Sequence, residues 1–261
     1  MGDRLRRVIV TGGSGGIGTA IVDSFLADGC HVVDIDIRPP RERGSYDGRL
    51  DHVEADLTDV ASAEAGFAAA DGLFESRSPE VLVCCAAISK AHHALDVAIE
   101  DFDRILAVNV RGTFLACQLA GRRMRDGGAG GHIVVITSVA DAVAFAGEPV
   151  YGITKGAQWS LVQALAIELA PWGIAVNAVA PFAIEVQSYG MASTRDVHDA
   201  KAQMLARTPA GRLGYPGEVA SAVQFLAQAS WVTGQRLVVD GGYLATGVAY
   251  PASYAGTRAA V

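Results

Sequence analysis

The chain has 261 residues, 51% of them hydrophobic and 19% charged, with a formal net charge of −7. That balance excludes a disordered chain, and an acidic total with a single tight basic cluster (Arg4, Arg6, Arg7) argues against a nucleic-acid partner. No stretch approaches the roughly 20 apolar residues of a membrane span and no N-terminal segment resembles a signal peptide, so a cytoplasmic protein with no membrane partner is expected.

Short β-branched runs alternate with longer stretches of helical period. Strands are predicted over residues 7–11, 31–36, 81–85, 132–137, 174–178 and 236–239, with a weaker one over 51–55. Helices are predicted over 16–28, 59–74, 101–125, 154–170 and 218–228. Such alternation predicts an α/β fold of the Rossmann type: a doubly wound, seven-stranded, mostly parallel sheet with helices on both faces, within one domain spanning 1–261. Asp28-Gly29, the glycines between 127 and 131, and Pro171 with Gly173 punctuate the helix ends. The segment 182–211 departs from the alternation and is expected to be a substrate loop.

Four cysteines, Cys30, Cys84, Cys85 and Cys117, form no C-x-x-C pair and lie in apolar contexts, which predicts reduced core residues. His92 and His93 are adjacent in a loop, a spacing that rarely converges on an ion, so no metal is expected.

The first strand runs directly into Thr11-Gly12-Gly13-Ser14-Gly15-Gly16-Ile17-Gly18 and then a helix. Backbone amides and a helix N-terminus converge there without bulky side chains, an arrangement that binds a pyrophosphate. Asp36 ends the second strand, 18 positions beyond Gly18, where a carboxylate accepts from ribose hydroxyls and repels a 2′-phosphate. NAD is the expected cofactor, and NADP is the weaker choice, kept open because Arg38 is close enough to soften the preference. Asp34 shares a face with Asp36 but sits deeper in the strand.

Tyr151 and Lys155 are four residues apart at a helix start, so their side chains can meet. An ammonium beside a phenol favours the phenolate and makes the tyrosine a proton carrier. Ser138 follows the strand over 132–137, at the carboxyl edge where ligands bind in doubly wound sheets, and Asn109 is a buried amide within a helical, apolar stretch that needs partners.

Together T-G-x-x-x-G-x-G, a ribose acid, a helical asparagine, a serine thirteen residues before the tyrosine, and Y-x-x-x-K resemble the short-chain dehydrogenase/reductase family, from Val8 to about Thr246. The resemblance implies a catalytic set of Asn109, Ser138, Tyr151 and Lys155. It implies cofactor contacts from Gly12, Ser14, Gly15, Ile17, Gly18, Asp36, Asp56, Leu57, Cys85, Ala86, Ala87, Tyr151, Lys155, Pro181 and Ile184. It further implies that the Asn109 backbone carbonyl holds a water that continues a proton relay from Lys155. The expected activity is hydride transfer between NAD(H) and a secondary alcohol or ketone, with the cofactor carrying the hydride and the protein supplying geometry. Two alternatives are an NADP-dependent carbonyl reductase and a non-catalytic dinucleotide-sensing protein of the same fold.

Two departures bear on the site. The family's Asn-Asn-Ala-Gly is here Cys84-Cys85-Ala86-Ala87, which removes two amide side chains, and its Pro-Gly turn is Pro181-Phe182. The expected threonine is Val186, with Ser188 as a substitute hydroxyl. Phe182 adds an aromatic wall, and the expected substrate contacts are Ala140, Phe145, Glu148, Phe182 and Tyr189. The helices over 101–125 and 154–170 are apolar around much of their circumference, and relatives resembling this chain pair such helices. A homotetramer is therefore expected, or a homodimer.

Overall fold

The computed structural model describes residues 6–39, 48–186, 202 and 204–246. Within them lies one seven-stranded sheet of order β3-β2-β1-β4-β5-β6-β7, in which every adjacent pair is parallel. The strands are β1 (Arg7–Thr11), β2 (His31–Asp36), β3 (Leu50–Glu54), β4 (Val81–Cys84), β5 (Gly131–Ile136), β6 (Ile174–Pro181) and β7 (Arg236–Val239). The helices are α1 (Gly16–Ala27), α2 (Val60–Leu73), α3 (Ile99–Leu106), α4 (Thr113–Gly127), α5 (Pro149–Leu169) and α6 (Pro216–Leu226).

Strands covered on both faces are largely apolar, and β1 and β6 are buried along their whole length, their polar residues Arg7, Thr11 and Asn177 included. Successive side chains alternate between two cores. Ile9, Leu82, Ile133 and Val176 face Phe67 of α2, Ala116 and Ala120 of α4, and Val162 of α5. Val8, Val10, Val83 and Val134 face the opposite side, against Ile21 and Phe25 of α1 and Val219 and Val223 of α6. The strand order reverses between β1 and β4, and the crevice at the carboxyl ends of these two strands is where such sheets bind ligands.

The helix predicted over 101–125 is not continuous. A π-helical turn over Ala107–Gly112 separates α3 from α4, and Asn109 lies inside it with its side-chain amide bonded outside the helix. Wide turns of this kind concentrate at functional sites. Helix α5 starts at Pro149, earlier than its periodicity suggests, because a proline's fixed φ and missing N–H suit the first helical position. Tyr151 therefore lies within the first turn. Among the described residues no helix is long and apolar enough to cross a membrane.

Candidate active site

The phosphate-type loop after β1 is shaped by two close approaches. Gly12 has φ +74°, and a Cβ there would lie 2.6 Å from the backbone of Ala86, beyond β4. At Gly18 a Cβ would lie 2.1 Å from the Gly12 carbonyl oxygen. Only glycine permits this packing. Helix α1 begins after Gly15 with no side chain capping its N–H groups and no acid in its first turn, which leaves its positive end available to an anion. This uncapped, side-chain-free cradle fits the pyrophosphate of a dinucleotide.

Behind the loop stand the two acids of β2. Ser14 Oγ donates to Asp34 at 2.8 Å, and the Ser14 amide donates to Asp36 at 3.3 Å. Asp36 also accepts from the Arg38 amide at 3.0 Å, while the Arg38 guanidinium stands 3.5 Å away and is largely exposed. Asp36 thus sits at the strand end beside the loop, as expected, and Asp34 lies fully buried beneath it. On the next edge Leu57 is buried, and exposed Asp56 accepts from the amide and hydroxyl of Thr58, both at 2.8 Å.

Beyond β4 the chain turns through Cys85, Ala86 and Ala87. The Cys85 amide donates to Thr11 at 3.0 Å, and burial pushes its thiol up to about 12, so it remains a neutral thiol. Cys84 and Cys117 bring their sulfurs to 3.8 Å across the β4–α4 interface. Cys84 packs in the core beside Cys117, and Cys85 packs against the opposite core.

Asn109 joins this turn to α5. Its Oδ1 accepts from the Ile88 amide and its Nδ2 donates to the Ile88 carbonyl, both at 2.8 Å. Nδ2 also donates to Thr154 Oγ1 at 3.1 Å, and Thr154 Oγ1 in turn donates to the Tyr151 carbonyl at 2.8 Å. The buried amide is therefore fully engaged, and it ties the loop after β4 to the first turn of α5.

Lys155 is 2% exposed. Its Nζ donates to the Ile136 carbonyl at the end of β5 and to Gln158 Oε1, each at 2.9 Å, and lies 5.3 Å from the centroid of the Tyr151 ring. Burial lowers its pKa to about 8, with Cys85 and Asp141 opposing the shift. Ser138 precedes a short 3₁₀ turn, Val139–Asp141, and its Oγ accepts from the Ala140 amide at 3.2 Å, which fixes the hydroxyl's position and leaves its proton to donate. Asp141, wholly buried and paired with Arg236, closes the floor on this side.

The Asn109 carbonyl differs from what the resemblance implies. It accepts from Thr113 Oγ1 and from Gln158 Nε2, both at 2.7 Å, so both lone pairs are engaged by protein groups rather than offered to a water.

On the substrate side Phe182 stacks on Tyr243 with centroids 3.9 Å apart, and Phe145 stacks on Phe182 at 5.7 Å. Ala140 is buried and Ile184 bridges to Gly214. Pro181 closes β6 opposite Val239. Glu148 caps α5 three residues before Tyr151; burial raises its pKa, and among the described residues its carboxylate has no hydrogen-bond or ion-pair partner. Tyr189 and Ser188 lie outside the described residues. Sequence reasoning missed Gln158, Thr113 and the stacking role of Tyr243. A polar residue one turn beyond Lys155 was the available signal for the first.

A sequence profile described as enoyl-(acyl carrier protein) reductase matches residues 12–244. The chain is 39% identical to 2-(R)-hydroxypropyl-CoM dehydrogenase of Xanthobacter autotrophicus, over 92% of this chain and 99% of the relative. It is 36% identical to L-rhamnose 1-dehydrogenase (NAD(P)(+)) of Azotobacter vinelandii, over 91% and 96%. Among solved structures it is similar to ElxO with NADP bound, with a TM-score of 0.85 and 28% identity over 93% of this chain and all of that one. With the glycine cradle, the strand order and these matches in place, the chain belongs to the short-chain dehydrogenase/reductase family, whose members bind a nicotinamide dinucleotide and act as oxidoreductases.

Proposed function

We propose that this protein interconverts a secondary alcohol and a ketone with NAD(H), and that Tyr151 exchanges the proton with the substrate oxygen. The observation that carries this reading is the buried Lys155 ammonium held 5.3 Å from the Tyr151 ring, a cation placed to favour the phenolate. The nicotinamide ring supplies the hydride chemistry when bound. Gly12, Ser14, Gly15, Ile17 and Gly18 hold the pyrophosphate; Asp36 the adenosine ribose; Asp56 and Leu57 the adenine; Cys85, Ala86, Ala87, Pro181 and Ile184 the nicotinamide end. Ser138 donates to the substrate oxygen. Incubation with NAD and a panel of secondary alcohols, polyols and sugars at alkaline pH is expected to build up reduced cofactor. A protein that binds NADH but turns over none of them would contradict the reading.

NAD is the proposed partner because Asp36 stands at the ribose end of the loop. Asp36→Ala is expected to weaken NAD and improve NADP use, each by about tenfold to a hundredfold, the value of one charged hydrogen bond. Steady-state comparison of the two cofactors reads this, and an unchanged preference would count against the assignment. The exposed Arg38 guanidinium, 3.5 Å from Asp36, favours a second reading in which NADP is also accepted.

The aromatic stack of Phe145, Phe182 and Tyr243 suits the apolar face of a substrate, and the Glu148 carboxylate suits its hydroxyls. An unpartnered, half-buried carboxylate costs stability. Its folded pKa is raised, so near pH 7 the charged form burdens the native state, and the burden lifts as pH falls through that pKa. Glu148→Gln is expected to raise Tm by about 1–3 °C at pH 7, with the gain vanishing near pH 4, and to lower kcat/KM for hydroxyl-bearing substrates. A melting series that shows no gain at neutral pH would remove the unpaired charge from the account.

Assembly is proposed as a homotetramer, or a homodimer. Phe114 on α4 and Ile153 and Ile167 on α5 are large apolar residues left exposed in the single chain. Light scattering at micromolar concentration distinguishes these from a monomer.

A further inference from the structure

Gln158 is a buried amide with every polar atom used. It is 1% exposed. Its Oε1 accepts from Lys155 Nζ at 2.9 Å, and its Nε2 donates to the Asn109 carbonyl at 2.7 Å and to Thr113 Oγ1 at 2.8 Å. These partners come from α5, the π-helical turn and α4, so one side chain links three elements around the ammonium. An apolar residue would fill the same volume without the desolvation cost of an amide, so what the amide adds at this position is its bonds.

We propose that Gln158 is a positioning residue for the reaction: its amide oxygen clamps the Lys155 ammonium, and its amide nitrogen takes the place on the Asn109 carbonyl that a relay water would occupy. This rests on Tyr151 being the proton carrier. An amide holds but does not conduct, because near neutral pH it neither gains nor loses a proton. The inward side of Lys155 is thereby closed. In alcohol oxidation the substrate O–H bond breaks and the Tyr151 O–H bond forms while the hydride leaves carbon for the nicotinamide. The Tyr151 proton then leaves to solvent by a path that does not run through Gln158.

The groups facing Lys155 are few. Cys85 beyond β4 is a neutral thiol, Asp141 after β5 is paired with Arg236, and Tyr151 lies on the same helix. Gln158 does not titrate, so a change in pH profile on its removal reports on Lys155 and Tyr151.

Gln158→Met and Gln158→Leu keep volume and delete the bonds. With its acceptor gone the ammonium is less favoured and supports the phenolate less. The acid limb of the kcat profile for alcohol oxidation is then expected to move up by about 0.5–1 pH unit, about half of what one hydrogen bond to a charged group is worth because Tyr151 feels the loss only through Lys155, with substrate KM within about twofold. The proton inventory of wild-type kcat in mixed H₂O and D₂O is expected to be linear, one proton in flight. Either variant, folded by its melting curve, that leaves the acid limb in place would overturn the clamp. A curved wild-type inventory would overturn the closed inward path. Tyr151→Phe measured alongside separates the two levels: if it stays active, the reading of Tyr151 fails; if it is inactive and the Gln158 variants keep the wild-type limb, only the role of Gln158 fails.

Discussion

Tyr151→Phe is expected to lower kcat by about 10²–10⁴ while leaving NAD(H) affinity within about twofold. Proton transfer by a placed side chain is worth that much, and the substitution keeps the ring and its packing. Ser138 and Asp141 hold a hydroxyl and an acid near the phenol, yet neither substitutes for it. Ser138 Oγ already accepts from the Ala140 amide, and a serine hydroxyl is a poor base at working pH. Asp141 is buried against Arg236. Steady-state kinetics together with NADH fluorescence titration read both halves of the expectation. A variant retaining more than about a tenth of wild-type turnover, well above the range for lost proton transfer, would place the proton carrier elsewhere.

Lys155→Met is expected to act on both turnover and cofactor. Removing the ammonium takes the electrostatic support from the phenolate and, in the proposed complex, a donor from the nicotinamide ribose. Turnover should fall by about 10² or more and NAD affinity by about tenfold, the scale of one charged hydrogen bond. This pattern differs from that of Tyr151→Phe, which spares binding. A stability signature accompanies it. The folded pKa of Lys155 is lowered from 10.5 to about 8 by burial. Between those values the unfolded chain holds a proton that the native protein has released, so native stability rises with pH across that window. In the methionine variant this contribution is absent. The Tm of wild type relative to Lys155→Met is therefore expected to climb by a few degrees from pH 8 to pH 10, and a constant difference across that range would mean the lysine is not desolvated as described.

What the sequence makes legible follows the range of the interactions. The glycine loop, Asp36 at its strand end and the Tyr151–Lys155 spacing are local, each set by one strand end or one helical turn, and their placement needed only the alternation of strands and helices. Asp34 and Asp36 on one face of β2 follow from the two-residue period of a strand, and both reach Ser14. Gln158 was not legible in this way because its partners Asn109 and Thr113 are 49 and 45 residues away and are brought to it by the π-helical turn, which no periodicity announces. The same turn explains why a single helix over 101–125 was predicted: its apolar pattern runs through, and only the demand of the Asn109 amide for the Ile88 backbone marks the break. Tyr243 joins the aromatic wall because Gly241 and Gly242, both at positive φ, turn the chain back after β7. Motif spacing identifies that turn but not what the tyrosine stacks upon.

Cys84 and Cys85 carry no amide, yet the backbone bond from Cys85 to Thr11 and the contact of Gly12 on Ala86 keep the loop against the strand.

The central claim is that hydride passes directly between a substrate carbinol carbon and the nicotinamide. The measurement that tests it uses a turned-over secondary alcohol deuterated at that carbon, with mass spectrometry of the cofactor after reaction with NAD. One deuterium in each reduced nicotinamide formed and a slowed rate with the deuterated alcohol are expected. Reduced cofactor that carries no deuterium would contradict it.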